Sequence, residues 1–214
     1  MNKQNIYLIS NKEYEGITSI NVFDISYIRK DIEINKYDAL IYTSKNAIYS
    51  VDSFNKDWKN INSYAIAKQT ANVINELNGK LVFTGKKSHG NDFAEELVPL
   101  LKNKIVLYLR AKKTVSNLTE ILRDNNIKID EEIVYETVCK HNLQNKHFEN
   151  DSIFIFTSPS SYDCFLENFS WNETFTAIAI GKTTAKKFNQ KIKYLISEET
   201  SINACIKLAK SIEK

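Results

Sequence analysis

The chain has 214 residues, enough for one large domain or two small ones. Its 43% hydrophobic and 26% charged content is that of an ordinary folded protein, and a net charge of +3 is too small to argue for a nucleic-acid partner. No apolar run is long enough to span a bilayer, and Met1-Asn-Lys-Gln-Asn5 leads straight into a strand without a signal peptide, so a cytoplasmic protein with no membrane partner is expected.

Asn5 to Ser10 reads as a strand, and Ser19 to Ile28 as the next, too close behind for a full crossover helix. Tyr37 to Thr43 is a strand and Ser44 to about Phe54 its helix. Tyr64 to Ala67 is a strand, followed by a helix from Thr70 to Leu77 that Gly79 closes. After a short strand at Lys80 to Phe83, Asp92 and Glu95 suggest a capping box opening a helix to Leu101. Lys104 to Leu109 is a buried strand ending at Arg110. Val115, Leu118, Ile121 and Leu122 then place a helix over 114–123, and Ile129 to Val138 is a long strand. The remainder alternates: strand 152–157, helix 159–169, strand 175–180, helix 183–190, strand 193–196, helix 201–212. Cys139, Cys164 and Cys205 are odd in number without metal-ligand spacing, so free thiols are expected. His89, His141 and His147 are scattered, and no metal site is expected.

Two stretches share one device. In Phe154-Ile-Phe-Thr-Ser-Pro159 a buried strand ends in Thr157 and Ser158, and Pro159 suits the first helical position. In Leu40-Ile-Tyr-Thr-Ser-Lys45 the strand ends in Thr43 and Ser44, 114 residues earlier. At that same offset Ala65, Ile66, Lys68, Thr70 and Ala71 meet Ala179, Ile180, Lys182, Thr184 and Ala185. Ordinary composition gives roughly one identity in fifteen positions, so the register marks an internal duplication. The second repeat is two strands short, and the N-terminal strands supply them. One domain is therefore made of 1–28 plus 145–214, and the other, 34–136, is inserted in it, with 26–36 and 136–148 as hinge segments. Alternating strands and helices imply parallel sheets with ligands at the carboxyl ends of the strands.

Tyr42-Thr-Ser-Lys-Asn-Ala47 with Ala65-Ile-Ala-Lys-Gln-Thr-Ala71, Phe156-Thr-Ser-Pro-Ser-Ser161 with Ala179-Ile-Gly-Lys-Thr-Thr-Ala185, and Ile133-Val-Tyr-Glu-Thr137 together resemble the uroporphyrinogen-III synthase family over nearly the whole chain. Departures are Ser10 and Asn11 where an arginine is common, Ala67 and Ala111 in place of glycines, and a shortened first crossover. The resemblance implies two flavodoxin-like α/β domains with parallel sheets, joined by a two-segment β linker around a central cleft. It also implies an activity: hydroxymethylbilane, a linear tetrapyrrole with eight carboxylates, is closed with loss of water and inversion of the last pyrrole. No metal or organic cofactor takes part, and the protein is expected to be a monomer.

A polyanion calls for N–H donors at helix starts and for hydroxyls. The expected contacts are Thr43, Ser44, Lys45, Asn46 and Thr70 in the inserted domain and Thr157, Ser158, Ser160, Ser161, Thr183 and Thr184 in the other. Arg110, with Lys112 and Lys113, stands beyond a strand end with no acid beside it in sequence, and is expected to pair with carboxylates. Tyr135 is the expected proton donor to the departing hydroxide. The rival reading from another class is a non-catalytic two-domain binding protein for an anionic small molecule. A flavin carrier would need a phosphate loop and a receiver domain an acidic strand end, and the sequence offers neither.

Overall fold

Short apolar strands alternate with helices apolar on one face, and they assemble into two sheets. The computed structural model describes residues 5–87, 89–143 and 146–212. Residues 1–4, 88, 144–145 and 213–214, which fall within the expected domain and hinge ranges, lie outside the described residues.

The chain opens with β1 (Ile6–Ile9), β2 (Thr18–Ile20) and β3 (Phe23–Tyr27). The single strand expected over 19–28 is thus two, in different sheets. The break has a local cause: the Phe23 N–H donates to Asn21 Oδ1 at 3.2 Å, an Asx turn that takes the backbone out of the first ladder. β4 (Ala39–Tyr42), α1 (Lys45–Phe54), β5 (Asn62–Ala65), α2 (Lys68–Glu76) and β6 (Leu81–Thr84) follow. After them come α3 (Gly90–Leu101), β7 (Ile105–Ala111), α4 (Leu118–Asp124) and β8 (Lys128–Cys139). The last part holds β9 (Ile153–Phe156), α5 (Pro159–Leu166), β10 (Thr176–Ala179), α6 (Lys182–Ala185), β11 (Lys193–Ile196) and α7 (Ile202–Ile212).

Several helix boundaries differ from expectation. α2 begins at Lys68, two residues early, and the left-handed residue behind it is Asn78, with φ 59°, not Gly79. Gly79 has a different reason to be glycine: a Cβ there would stand 2.3 Å from the Trp58 ring. α3 starts at Gly90 after His89, so Asp92 lies in its first turn and does not cap it. α4 starts only at Leu118, which leaves Val115 exposed. α6 is four residues long, half the expected helix.

The chain divides into two compact units: Met1–Asp24 with Thr137–Lys214, and Ile25–Glu136. The first has the sheet order β11-β10-β9-β1-β2, all parallel, which is the flavodoxin-like 2-1-3-4-5 order. The second sheet runs β3-β8-β7-β4-β5-β6, whose last five strands are parallel. They have the same order, circularly permuted. β3 is antiparallel to β8: the Ile28 N–H donates to the Val134 carbonyl and the Lys140 N–H to the Val22 carbonyl, both at 2.8 Å. The two boundaries between the units fall within β3 and β8.

The duplication is visible residue by residue. β4 and β9 coincide under the offset of 114, as do β5 and β10, and so do the first residues of α1 and α5 and of α2 and α6. The pairing Ala39↔Asn62 recurs as Ile153↔Thr176.

The central strands of each sheet are buried on both faces, as in parallel sheets generally. In the second unit, Leu40, Tyr42, Leu107 and Leu109 face Ile48, Val51, Ile74 and Trp58. Ala39, Ile41, Val106 and Tyr108 face Phe93, Leu97, Leu118 and Leu122. In the first unit, Ile153 and Ile155 pack with Cys205 and Ala209 of α7, while Phe154 and Phe156 meet Phe165 and Trp171 on the opposite face. Full burial of each valine, leucine, isoleucine or phenylalanine among them stabilises by about 1.5–3 kcal/mol.

The expectation of three free thiols is overturned. Cys139, at the end of β8, and Cys164, in α5, form a disulfide with Cα atoms 5.0 Å apart. The sequence gives no sign of it because the two lie 25 residues apart and are brought together only when α5 packs beside the end of β8. Cys205 is free and buried. Among the described residues no helix is long and apolar enough to cross a membrane.

Candidate functional site

The second unit gathers hydroxyls at the carboxyl ends of β4, β7 and β8. Strand alternation decides their directions. Ala39, Ile41 and Thr43 share one face of the sheet, and Leu40 and Tyr42 the other. Thr43 therefore lies on the face of Tyr108, which is paired with Ile41, and its Oγ1 is 2.7 Å from the Tyr108 hydroxyl. Ser44 has extended dihedrals and is the N-cap of α1, its Oγ accepting from the Asn46 N–H at 3.2 Å. Thr43, Ser44, Lys45 and Asn46 are all half-buried, so the turn is accessible at the dipole-positive end of a three-turn helix.

Tyr135 reaches the same turn from β8. The β7–β8 register shifts between Arg110 and Ala111: Arg110 pairs with Ile133 and Ala111 with Tyr135, so Val134 is the extra residue of a bulge. The Val134 carbonyl accepts both from Ile28 N–H and from Ser50 Oγ of α1, which ties the bulge to the helix that Ser44 caps. Burial raises the Tyr135 pKa above 10, and a hydrogen bond with Ser44 offsets part of that shift. Tyr135 is therefore a protonated phenol, 8% exposed, beside the cap. Burial likewise pushes Tyr108 up to about 12.

Arg110 lies within β7 and not beyond a strand end as expected, and the basic group there is not bare. Arg110 Nε is ion-paired with Glu131, and its Nη1 donates to the Ala111 carbonyl at 2.9 Å. Lys112 Nζ is 2.8 Å from Glu136. The expectation that no acid stands beside these cations fails because the acids lie on the neighbouring strand, where parallel pairing sets β8 alongside β7. Thr70 is also displaced from its expected role: with α2 capped by Ala67, it falls in the first turn and is 5% exposed.

The first unit carries the matching turn. Ser158 caps α5, accepting from the Ser161 N–H at 3.1 Å, while Ser161 Oγ accepts from the Ser158 N–H at 3.1 Å. Ser161 is fully buried, so its hydroxyl serves the cap and not a ligand. Thr157 Oγ1 donates to the Ile9 carbonyl at 3.2 Å. Thr157, Ser158 and Ser160 are half-buried. Thr183 and Thr184 follow the cap residue Gly181 in α6, with Thr183 half-buried and Thr184 2% exposed.

The geometry thus brings Thr43, Ser44, Lys45, Asn46 and Tyr135 together in one unit and Thr157, Ser158 and Ser160 in the other. It withdraws Thr70, Ser161 and Thr184 into the interior. Tyr108 is the residue that sequence reasoning missed. The signal was available: it lies in an apolar strand on the parity that meets Thr43. Among the described residues no three His, Cys, Asp or Glu side chains form a metal-binding group.

A family model described as uroporphyrinogen-III synthase HemD matches residues 18–207. The chain is 29% identical over 192 residues to a porphyrin biosynthesis protein HemD of Ruminiclostridium josui, covering 81% of this chain. It spans only 38% of the length of that curated relative. Among solved structures it is similar to the uroporphyrinogen-III synthetase of Helicobacter pylori 26695, with 31% identity, a TM-score of 0.84, and 98% of this chain and 100% of that one covered. A mutant uroporphyrinogen III synthase of the extremely thermophilic bacterium Thermus thermophilus shares the fold at 12% identity and a TM-score of 0.62, covering 96% of this chain and 97% of that one. A model match spanning most of the chain, and a relative of like identity along its whole length, establish that this protein belongs to the uroporphyrinogen-III synthase family.

Proposed function

We propose that this protein converts hydroxymethylbilane to uroporphyrinogen III, closing the ring with loss of one water and inverting ring D. The observation that carries this reading is the Thr-Ser helix start that recurs at the end of β4 and β9 in a chain of this family. The substrate is a flexible polyanion. Helix N-termini behind Ser44 and Ser158 offer N–H donors and a favourable dipole without fixed charge, so carboxylates are held yet released with the product. Thr43, Lys45, Asn46 and Ser160 add side-chain donors at the same turns, and Thr157, whose own proton is taken by the Ile9 carbonyl, lines the second of them. Thr183 takes a carboxylate at a lesser contact, and Arg110, held by Glu131, orders the rim of the site.

The reaction needs little from the protein at the leaving group. The pyrrole nitrogen pushes hydroxide out, and a neutral phenol beside the substrate gives it a proton, so that water leaves. Tyr135 fills that role, since burial keeps it protonated at physiological pH. The rest of the catalysis is positioning of the chain ends for closure. Segments 26–36 and 136–148 serve as the hinge between the domains 1–28 plus 145–214 and 34–136. The protein acts as a cytoplasmic monomer, with no nucleic-acid partner and no metal or organic cofactor.

An isomer assay tests the reading. Purified protein is mixed with freshly generated hydroxymethylbilane, the product oxidised and the porphyrin isomers separated. Protein-dependent type III isomer is the expected result. Type I isomer alone, at the rate of the protein-free control, overturns it in favour of a non-catalytic binding protein.

A further inference from the structure

The two repeats differ at one position beneath their matched threonines. Ile41 pairs with Tyr108 in the second unit, and Ile155, its equivalent at the offset of 114, pairs with Leu8 in the first. Leu8 has no hydroxyl, and Thr157 there donates its own proton to the Ile9 carbonyl. Under Thr43 the phenol of Tyr108 stands 2.7 Å away instead.

We propose that Tyr108 is a positioning residue: its buried hydroxyl donates to Thr43 Oγ1 and so leaves the Thr43 proton directed away from the protein, toward a substrate carboxylate. The direction of the bond follows from burial. Tyr108 is 2% exposed and Thr43 is its hydrogen-bonding partner among the described residues. Were Thr43 the donor, the Tyr108 proton would be left without an acceptor, since the phenol makes no second hydrogen bond among the described residues. Thr43 is half-buried at the rim of the sheet, where its proton can meet a ligand. A threonine that accepts from beneath is held in one rotamer and keeps its O–H to donate outward. Thr157 is the reverse, a donor inward and an acceptor outward, so the two turns are not equivalent toward an anion. Tyr108 does not touch substrate in this account. It acts through Thr43.

The assignment rests on the synthase reading for its kinetic consequence but not for its structural one, and two readouts separate them. In protein with labelled threonine methyls, three-bond couplings report the Thr43 χ1. The wild type is expected to show a single rotamer and Tyr108→Phe an averaged one, whether or not the protein is active. With hydroxymethylbilane, Tyr108→Phe is expected to raise KM about fivefold with kcat nearly unchanged, the size of one neutral hydrogen bond. Thr43→Val is expected to do the same, and the double variant to be no worse than Thr43→Val alone. Thr43→Ser keeps the acceptor and is expected to retain the dependence on Tyr108, which guards against a Tyr108→Phe protein that folds poorly. An unchanged Thr43 rotamer in Tyr108→Phe, or additive effects in the double variant, overturns the assignment. Absence of type III isomer from the wild type removes the synthase reading and leaves the rotamer result to decide Tyr108.

Discussion

Tyr42 and Phe156 are equivalent residues, the last of β4 and of β9, and they differ by a hydroxyl that has no partner among the described residues. Tyr42 is completely buried, packed edge-on against Trp58 with ring centroids 5.9 Å apart, and burial drives its pKa far above the ordinary value, with the Asp52 charge adding to the shift. An unsatisfied buried hydroxyl costs about 1–3 kcal/mol. Tyr42→Phe, which copies the other repeat, is expected to raise stability by about 1 kcal/mol. Thermal or urea unfolding checks this, and a lowered midpoint would mean that the hydroxyl has a bonded partner such as a buried water.

Asp52 makes the same corner acid-sensitive. Burial pushes its carboxyl up, but hydrogen bonds from Lys56 and the Trp58 indole, with the Lys56 and Lys59 charges, bring it below the ordinary 3.8. Because the folded value lies below the unfolded one, this network contributes stability that is full above pH 3.8 and is lost as the pH falls through the folded value. Lys56 is 65% exposed and adds little, whereas Trp58 is fully buried and its N–H has Asp52 Oδ1 at 3.1 Å. Asp52→Asn is expected to cost about 1.5 kcal/mol at neutral pH and to flatten the acid limb of the stability curve. Urea midpoints between pH 3 and 7 would show both.

Tyr135→Phe is expected to lower kcat by about tenfold to a hundredfold while product binding changes far less. Since burial keeps the phenol above pKa 10, the wild-type rate is expected to lose no proton from this group below that pH. A descending limb between pH 7 and 9 that vanishes in Tyr135→Phe would contradict the raised value. Equal losses in turnover and product affinity would make Tyr135 a contact and not an acid.

Ser161→Ala is expected to behave as a stability variant. Its hydroxyl accepts from the Ser158 N–H and donates to the Ser158 carbonyl, and it is inaccessible. The loss should be about 1 kcal/mol with KM unchanged, as for other helix caps. A raised KM at unaltered stability would return Ser161 to the substrate.

The cystine makes its own prediction. Closing a loop of 25 residues with Cys139–Cys164 should stabilise the first unit by about 3 kcal/mol. Thiol titration of the unfolded, unreduced protein should find one thiol, Cys205. Three thiols would show that the bond does not form under those conditions.

What could be read in the chain was whatever depends on local spacing. Parallel sheets, the Thr-Ser strand ends and the caps at Ser44 and Ser158 follow from alternation and from hydroxyl chemistry within a few residues. Contacts set by register between strands could not be read. Glu131 and Glu136 meet Arg110 and Lys112 only because β8 lies beside β7, and a bulge at Val134 decides which way Tyr135 turns. The burial of Thr70 and Thr184 has a related cause: a helix that starts one or two residues early rotates a hydroxyl from rim to core. Ser161 is buried by the reciprocal cap it forms with Ser158. The Cys139–Cys164 bond needs the packing of α5 and is invisible to spacing.

The pairing of Ile6 with Ile153 also orders events during synthesis. The strands β4 to β8 leave the ribosome as one contiguous run, with every parallel partner close behind. β1 instead emerges first and waits for β9, exposing the edge of Ile6, Leu8 and Ile9 while most of the chain is still being made. Such an apolar strand, paired with β2 on one edge and open on the other, is a site for misassociation between nascent chains. Translational pauses before residue 153 should therefore matter more to the yield of this protein than pauses after it.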